Sequence, residues 1–459
     1  MHGFAAEIES HLKEKLIPFW EGLRDSRHGG YYGYMDFDLQ VEQEAEKGCI
    51  LNSRILWFFS NAYRLLGEEH LKEHADHAYR FFRDFCLDRE YGGVYWSLTF
   101  EGKPLDTIKH TYNQAFAIYA LASYYDATGC QEALAWAGEL WELVEGRCRD
   151  SGGYLEAFNR DFTPAANDKL SENGVMAERT MNTLLHVLEA YTEYYRVLKK
   201  VEAADGCRKE PGAVGAGECQ EMPGAGAAGG CQDVPEVRVA DGCRKVPGAG
   251  GAGVSGRSGA VADALRGILD QLAEKIYNPA AGRQEVFFDR DWHSLIDLYS
   301  YGHDIETAWL VDRTLDILGD ETCSRRLAPV TREITANIYK RAYRDHSLLE
   351  EAENGIDKTT RVWWIQAETV VGFINGWQRQ GDEKYLVAAK DVWNYIVTYL
   401  VDPRPGSEWF WCVDENHEPV KKPVVEPWKC PYHNGRMCME VIRRLCDQAG
   451  QDIFCNNKE

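Results

Sequence analysis

A rhythm constrains this chain of 459 residues more than any single motif: amphipathic runs of helical period alternate with short glycine- and aromatic-rich stretches. The first run, Ala5 to Leu23, carries Ile8, Leu12, Leu16, Phe19 and Leu23 at spacings of four, four, three and four, one face of a helix. Gly29-Gly-Tyr-Tyr-Gly-Tyr-Met-Asp36 follows and reads as a hairpin or extended loop. Comparable stretches recur at Gly92 to Trp96, Gly152 to Glu156, Val286 to Asp289, around Asn354 and Gly355, and at Glu408 to Asp414. Between them lie helical runs at Leu51–Leu66, Glu68–Cys86, His110 to Cys148 (two helices), Val175–Leu198, Ala260–Tyr277, Ile305–Leu318, Leu327–Tyr343, Val362–Gln378 and Glu383–Leu400. A last run starts near His433.

Twelve helices in six outer–loop–inner units predict an all-α (α/α)6 barrel. The even-numbered helices, more apolar around their circumference, form the inner ring, and the aromatic hairpin loops gather at one end. A single barrel domain then spans residues 1–459. The rhythm breaks only at 201–256, between helices six and seven. Cys207, Cys219, Cys231 and Cys243 recur there every twelve residues with Pro211, Pro223, Pro235 and Pro247 in step, a low-complexity insertion expected to be disordered.

The net charge of −22 argues against nucleic acid or an anionic membrane surface as partner. No run approaches a membrane span, and the charged, amphipathic start lacks a signal-peptide core. The 14 cysteines show no metal-binding spacing and read as reduced thiols, so a cytoplasmic protein is expected, and the sequence leaves open whether it is a monomer or a weak homodimer. Aromatics at 12 %, with 14 Trp and 24 Tyr, suit a site where rings stack on sugar faces.

In this barrel the first turns of every even helix face one funnel, and those turns are unusually polar. They supply Arg54, Tyr112 and Asn113, Asn182 and His186, His303 and Glu306, Trp363, Trp364 and Glu368, and His433 and Arg436, with Trp428 just ahead of the last helix. Six polar sets at equivalent points of six repeats point to one ligand site. Metal chemistry is disfavoured because arginines stand among the histidines and no Glu-x-x-His pair occurs. Glu306 and Glu368 could form a glycosidase pair, which would leave the histidines idle. No Gly-rich phosphate loop or dinucleotide fingerprint follows a strand. Two imidazoles with an arginine suit proton abstraction beside a carbonyl.

Ser300-Tyr-Gly-His-Asp-Ile-Glu306, Met181-Asn-Thr-Leu-Leu-His-Val-Leu-Glu-Ala-Tyr191, Trp363-Trp-Ile-Gln-Ala-Glu368 and Trp428-Lys-Cys-Pro-Tyr-His-Asn-Gly-Arg436 resemble the N-acylglucosamine 2-epimerase superfamily, most closely its cellobiose 2-epimerase branch. The resemblance spans nearly the whole chain outside 201–256. It implies an (α/α)6 barrel and reversible C2 epimerisation of the reducing-end glucose of β-1,4-linked disaccharides, with neither metal nor nucleotide. It assigns acid/base roles to His303 and His433, sugar binding or polarisation to His186, Asn182, Arg54, Tyr112 and Glu306, and ring stacking to Trp364 and Trp428. An aldose–ketose isomerase acting on mannose and an N-acylglucosamine 2-epimerase are the alternatives within it, a non-catalytic carbohydrate-binding barrel the remote one. Leu184 departs from the pattern, standing where family members carry a histidine.

Overall fold

The computed structural model describes residues 2–167, 169, 173–209 and 254–447. Most of the 201–256 insertion lies outside them. Among the described residues there are twelve long helices. The outer ones are α1 (His2–His11, continued through a π turn to Ile17–Gly22), α3 (Glu69–Phe81), α5 (Gln131–Arg147), α7 (Val254–Gln271), α9 (Glu321–Arg341) and α11 (Glu383–Tyr395). The inner ones are α2 (Cys49–Leu66), α4 (Thr111–Thr128), α6 (Met181–Lys209), α8 (Tyr301–Leu318), α10 (Trp363–Gln380) and α12 (His433–Asp447). Each inner helix packs on the next, α12 closes back onto α2, and each outer helix lies against an inner partner. The result is an (α/α)6 barrel.

Burial follows ring membership. Every residue from Thr111 to Tyr124 of α4 is buried, whereas α3 hides one face through Leu71, Ala75, Ala78 and Tyr79. An inner helix touches neighbours all round, so its sequence is apolar all round. Inner helices α2, α4, α8 and α10 end on Gly67, Gly129, Gly319 and Gly381 at φ 72°, 75°, 66° and 69°. That left-handed step costs a residue with Cβ energy that glycine is spared, and it turns the chain into the outer helix within a few residues.

Among the described residues the long connections run from an outer to the next inner helix, so they share one end of the barrel. Each contributes two- or three-residue strands, and antiparallel pairs stitch consecutive loops together. Lys47–Gly48 pairs Ser97–Leu98, Lys109–His110 pairs Ala157–Phe158, and Arg179–Thr180 pairs Phe287–Phe288. Leu298–Ser300 pairs Glu351–Glu353, Arg361–Val362 pairs Cys412–Val413, and a Met35–Val425 bridge closes the circle. Three of these loops share one lock. Asp25, Asp88 and Asp150 each accept backbone N–H groups of their own turn and an ion pair from a buried cation two residues ahead of an inner helix. Those cations are Lys47 (2.7 Å), Lys109 (3.0 Å) and Arg179 (2.6 Å).

Several boundaries differ from the periodicity reading: helix seven starts at Val254, not Ala260, and helix six runs on to Lys209, not Leu198, so both enter the stretch read as the 201–256 insertion. Helix six starts at Met181, not Val175, because Arg179–Thr180 is spent on strand pairing. Helix nine starts at Glu321, not Leu327. Asp320 caps it by accepting from Thr322 and Cys323 N–H at 2.9 and 3.2 Å, and its first turns are too polar to show an apolar stripe. No described helix is long and apolar enough to cross a membrane.

Candidate active site

The loop ring surrounds a cavity of about 360 Å³ that opens at that end of the barrel. Of the thirteen residues expected at the site, Arg54, Tyr112, Asn182, His186, His303, Trp363, Trp364, Trp428 and His433 line it. Asn113, Glu306, Glu368 and Arg436 are not among its lining residues. Asn113 is a structural residue here, its Nδ2 donating to the Tyr95 carbonyl at 2.7 Å. The other three belong to a buried ionic floor.

Arg436 organises that floor. Its guanidinium contacts the carboxylates of Glu189, Glu306 and Glu368, the last at 2.7 Å. Tyr432 donates to Glu189, and Trp309 Nε1 donates to Glu368 at 3.0 Å. Three buried carboxyls share one buried cation, so they do not ionise alike. Burial raises Glu189, but Arg436 and His186 outweigh it and hold that group at about 2. Glu306 is pushed up to about 7, by burial first and by Glu368 second. Burial also raises Glu368, against Arg436. Glu306, Glu368 and His433 bring donor atoms within 4.8 Å of one another, a spacing a cation could use. Arg436 already bridges both carboxylates, however, and supplies the positive charge there.

A carboxyl raised on folding binds its proton more tightly in the native state. Its contribution is fully present below the unfolded value near 4.5 and is lost as pH rises toward 7. A Glu306→Gln variant should therefore show a flatter fall in unfolding free energy between pH 5 and 7 than the parent, read by urea titration at each pH. Equal slopes would remove Glu306 from that role.

Three imidazoles face the cavity, each with Nδ1 engaged. His186 Nδ1 meets Glu189 at 3.1 Å, His433 Nδ1 meets Glu368 at 2.7 Å, and His303 Nδ1 meets the Ser300 hydroxyl at 2.7 Å. A carboxylate accepts only, so His186 and His433 carry hydrogen on Nδ1 and leave Nε2 free. Burial drives His303 down to about 3, helped by the nearby His186. His433 is lowered by burial and by Arg436 and Arg54. Both rings are neutral at rest, the state of a base. The Trp364 ring lies 4.7 Å from His303 and 5.3 Å from His433, so the two imidazoles converge on one wall.

Arg54 enters from α2, 2 % exposed. It stacks on Phe116 at 4.2 Å and Tyr432 at 4.9 Å and donates to the Tyr112 hydroxyl at 2.7 Å. Among the described residues no carboxylate pairs with it, so a buried guanidinium faces the cavity with charge to spare. Trp428, from the last loop, sits near Trp96 and Tyr112 at 5.7 and 6.0 Å and forms part of the upper wall. Leu184 is buried in the core and away from the cavity.

Sequence reasoning missed Ser300, Glu189 and Tyr432 as site residues, although Glu189 follows His186 by three and so shares its helix face. It also missed the loop residues Lys169, Asn173 and Lys422 at the mouth, which no helical period could place.

The barrel and site define a class: an enzyme that moves protons on a small polyhydroxylated substrate held among aromatic rings. The chain belongs to the N-acylglucosamine 2-epimerase family, whose sequence profile matches residues 30–191 and 261–435. It is 45 % identical over 436 residues to a cellobiose 2-epimerase of Eubacterium cellulosolvens, covering 95 % of this chain and 97 % of that one. Identity to a cellobiose 2-epimerase of Ruminococcus albus is 46 % over 444 residues, with 96 % and 99 % covered. The solved cellobiose 2-epimerase of Bacillus thermoamylovorans superposes with a TM-score of 0.82 at 38 % identity, covering 97 % and 100 %. The protein is a carbohydrate epimerase, an isomerase.

Proposed function

We propose that this protein epimerises C2 of the reducing-end glucose of β-1,4-linked disaccharides, converting cellobiose to glucosylmannose and lactose to epilactose. The observation that carries this reading is the pair of neutral, Nδ1-anchored imidazoles converging beside the Arg54 guanidinium, with which no carboxylate among the described residues pairs. Opening of the sugar ring makes the C2 proton acidic by placing it beside the C1 carbonyl. His433 takes the O1 proton as the ring opens, while O5 gains one from water at the open mouth. His303 then removes the C2 proton, and Arg54 stabilises the enediolate oxygen. His433, charged only while substrate is bound, delivers its proton to the opposite face of C2, and as the ring closes to the mannose epimer O5 gives its proton back to water while O1 takes one from solvent. His303 returns its proton to solvent. Beyond protons exchanged with water these steps call on no group from outside the chain, so this reading requires neither metal nor nucleotide. The aromatic wall of Trp364, Trp411 and Trp428 offers faces for both sugar rings.

The test is incubation with cellobiose, and separately with mannose, in D₂O containing a chelator, followed by proton NMR. Glucosylmannose bearing deuterium at C2 is expected. Fructose from mannose with cellobiose untouched would place the activity with aldose–ketose isomerases instead. An Arg54→Met variant should lose on the order of 10²- to 10³-fold in kcat, as removal of one preorganised oxyanion donor does, with a smaller change in KM. A loss confined to KM would mean Arg54 serves binding alone.

A further inference from the structure

The three cavity histidines share a pattern with one exception. Carboxylates hold Nδ1 of His186 and His433, whereas His303 is held by a hydroxyl, that of Ser300. Ser300 stands at the N-cap of α8, where a serine oxygen ordinarily accepts from a backbone N–H of the first turn. It makes no such bond. In the preceding inner helix Thr180 does cap, accepting from Thr183 N–H at 3.0 Å. The Ser300 oxygen is turned instead onto the imidazole of the third helical residue, at 2.7 Å. The backbone of Ser300 is fixed opposite Glu351 in the loop ring, and the residue is only 6 % exposed, so the hydroxyl has little freedom to turn away.

We propose that Ser300 is a positioning residue that orients the His303 imidazole with its Nε2 lone pair toward the cavity while bringing no negative charge to it. The proposal rests on the reading of His303 as the group that accepts the C2 proton. In the proposed arrangement the hydroxyl oxygen accepts from Nδ1–H as a carboxylate does, leaving Nε2 as the lone pair, whereas a hydroxyl that donated to Nδ1 would put the ring hydrogen on Nε2. A carboxylate in its place would favour the imidazolium and raise the pKa by about 1 to 3 units. The groups around His303 reinforce neutrality. His186 on α6 and His433 on α12 face it, Trp364 on α10 covers it at 4.7 Å, and Glu306 on its own helix is turned into the Arg436 floor. Among the described residues no carboxylate pairs with His303. Burial and His186 hold it down to about 3, in keeping with that arrangement. His303 therefore meets substrate unprotonated, and the imidazolium it forms is acidic enough to discharge before the next turnover.

The test joins one measurement independent of activity to one that depends on it. Long-range ¹H–¹⁵N spectra of ¹⁵N-histidine protein, with His303→Gln marking the signals of that ring, should show His303 neutral and protonated on Nδ1 at pH 7. Ser300→Ala should mix the two tautomers, and Ser300→Asp should raise the titration of His303 by about one unit or more. With cellobiose, Ser300→Ala should lower kcat about 10-fold with KM within about 2-fold, and Ser300→Thr, which keeps the hydroxyl, should restore it. An unchanged tautomer in Ser300→Ala, or a His303 titration unmoved in Ser300→Asp, would overturn the proposal. A kcat loss that Ser300→Thr fails to recover, with melting lowered alike in both variants, would also overturn it by making Ser300 merely structural. Parent protein inert toward cellobiose would strike the functional reading instead, and the spectra would still decide which atom Ser300 holds.

Discussion

A His303→Ala variant should lose about 10²- to 10⁴-fold in epimerisation of cellobiose, with folding intact. The imidazole packs against Trp364 and, among the described residues, bonds only Ser300, so its removal deletes a base without exposing a buried charge. His433→Ala should lose a comparable factor. The two losses differ in what survives. Each remaining histidine addresses one face of C2, so each variant should still exchange the C2 proton for deuterium, but in only one of the two epimers. Proton NMR in D₂O with cellobiose and with glucosylmannose reads this directly. Exchange in both epimers by either single variant would mean that one group serves both faces, and the two-histidine mechanism would fall.

The second large effect is on stability. Arg436→Met should destabilise the fold by about 3–5 kcal/mol, as removal of one partner from a buried ionic cluster does. Arg436 is 1 % exposed and is the guanidinium that touches Glu189, Glu306 and Glu368 together. Without it three carboxyls remain in a water-poor floor. Glu306 and Glu368, already raised, take up protons, and Glu189 loses the charge that holds it at about 2. Arg436→Lys should recover little, because a point charge cannot fork across three acceptors. Urea unfolding of both variants measures this, and a midpoint equal to the parent's would show that the floor does not depend on Arg436. Catalysis should fall too, since Glu368 orients His433 at 2.7 Å.

Much of this was legible in the sequence because it is local. The 3.6-residue period exposes a helix wherever one face is buried, which placed α2, α10 and α11 closely. It failed at α9, whose opening turns Glu321 to Arg326 are polar and whose start is set by the Asp320 cap. The motif around His303 named the segment that matters, yet gave Ser300 no role, because its place at an N-cap already accounted for a serine there.

The sequence by itself determined the twelve helices, their alternation and the polar residues that open the inner ring. Periodicity, glycine stops and polar first turns are properties of consecutive residues. Only the tertiary structure decided how deep each of those residues lies. Arg54 and His186 reach the cavity from the sixth position of their helices, while Glu306 and Glu368, at the same position of theirs, are drawn under Arg436. The same holds for the partners that fix the chemistry. Glu368 is 65 residues from His433, and Glu189 is 247 from Arg436. Contacts at such separations exist only once the ring closes and α12 meets α2 and α10, so no local pattern could carry them.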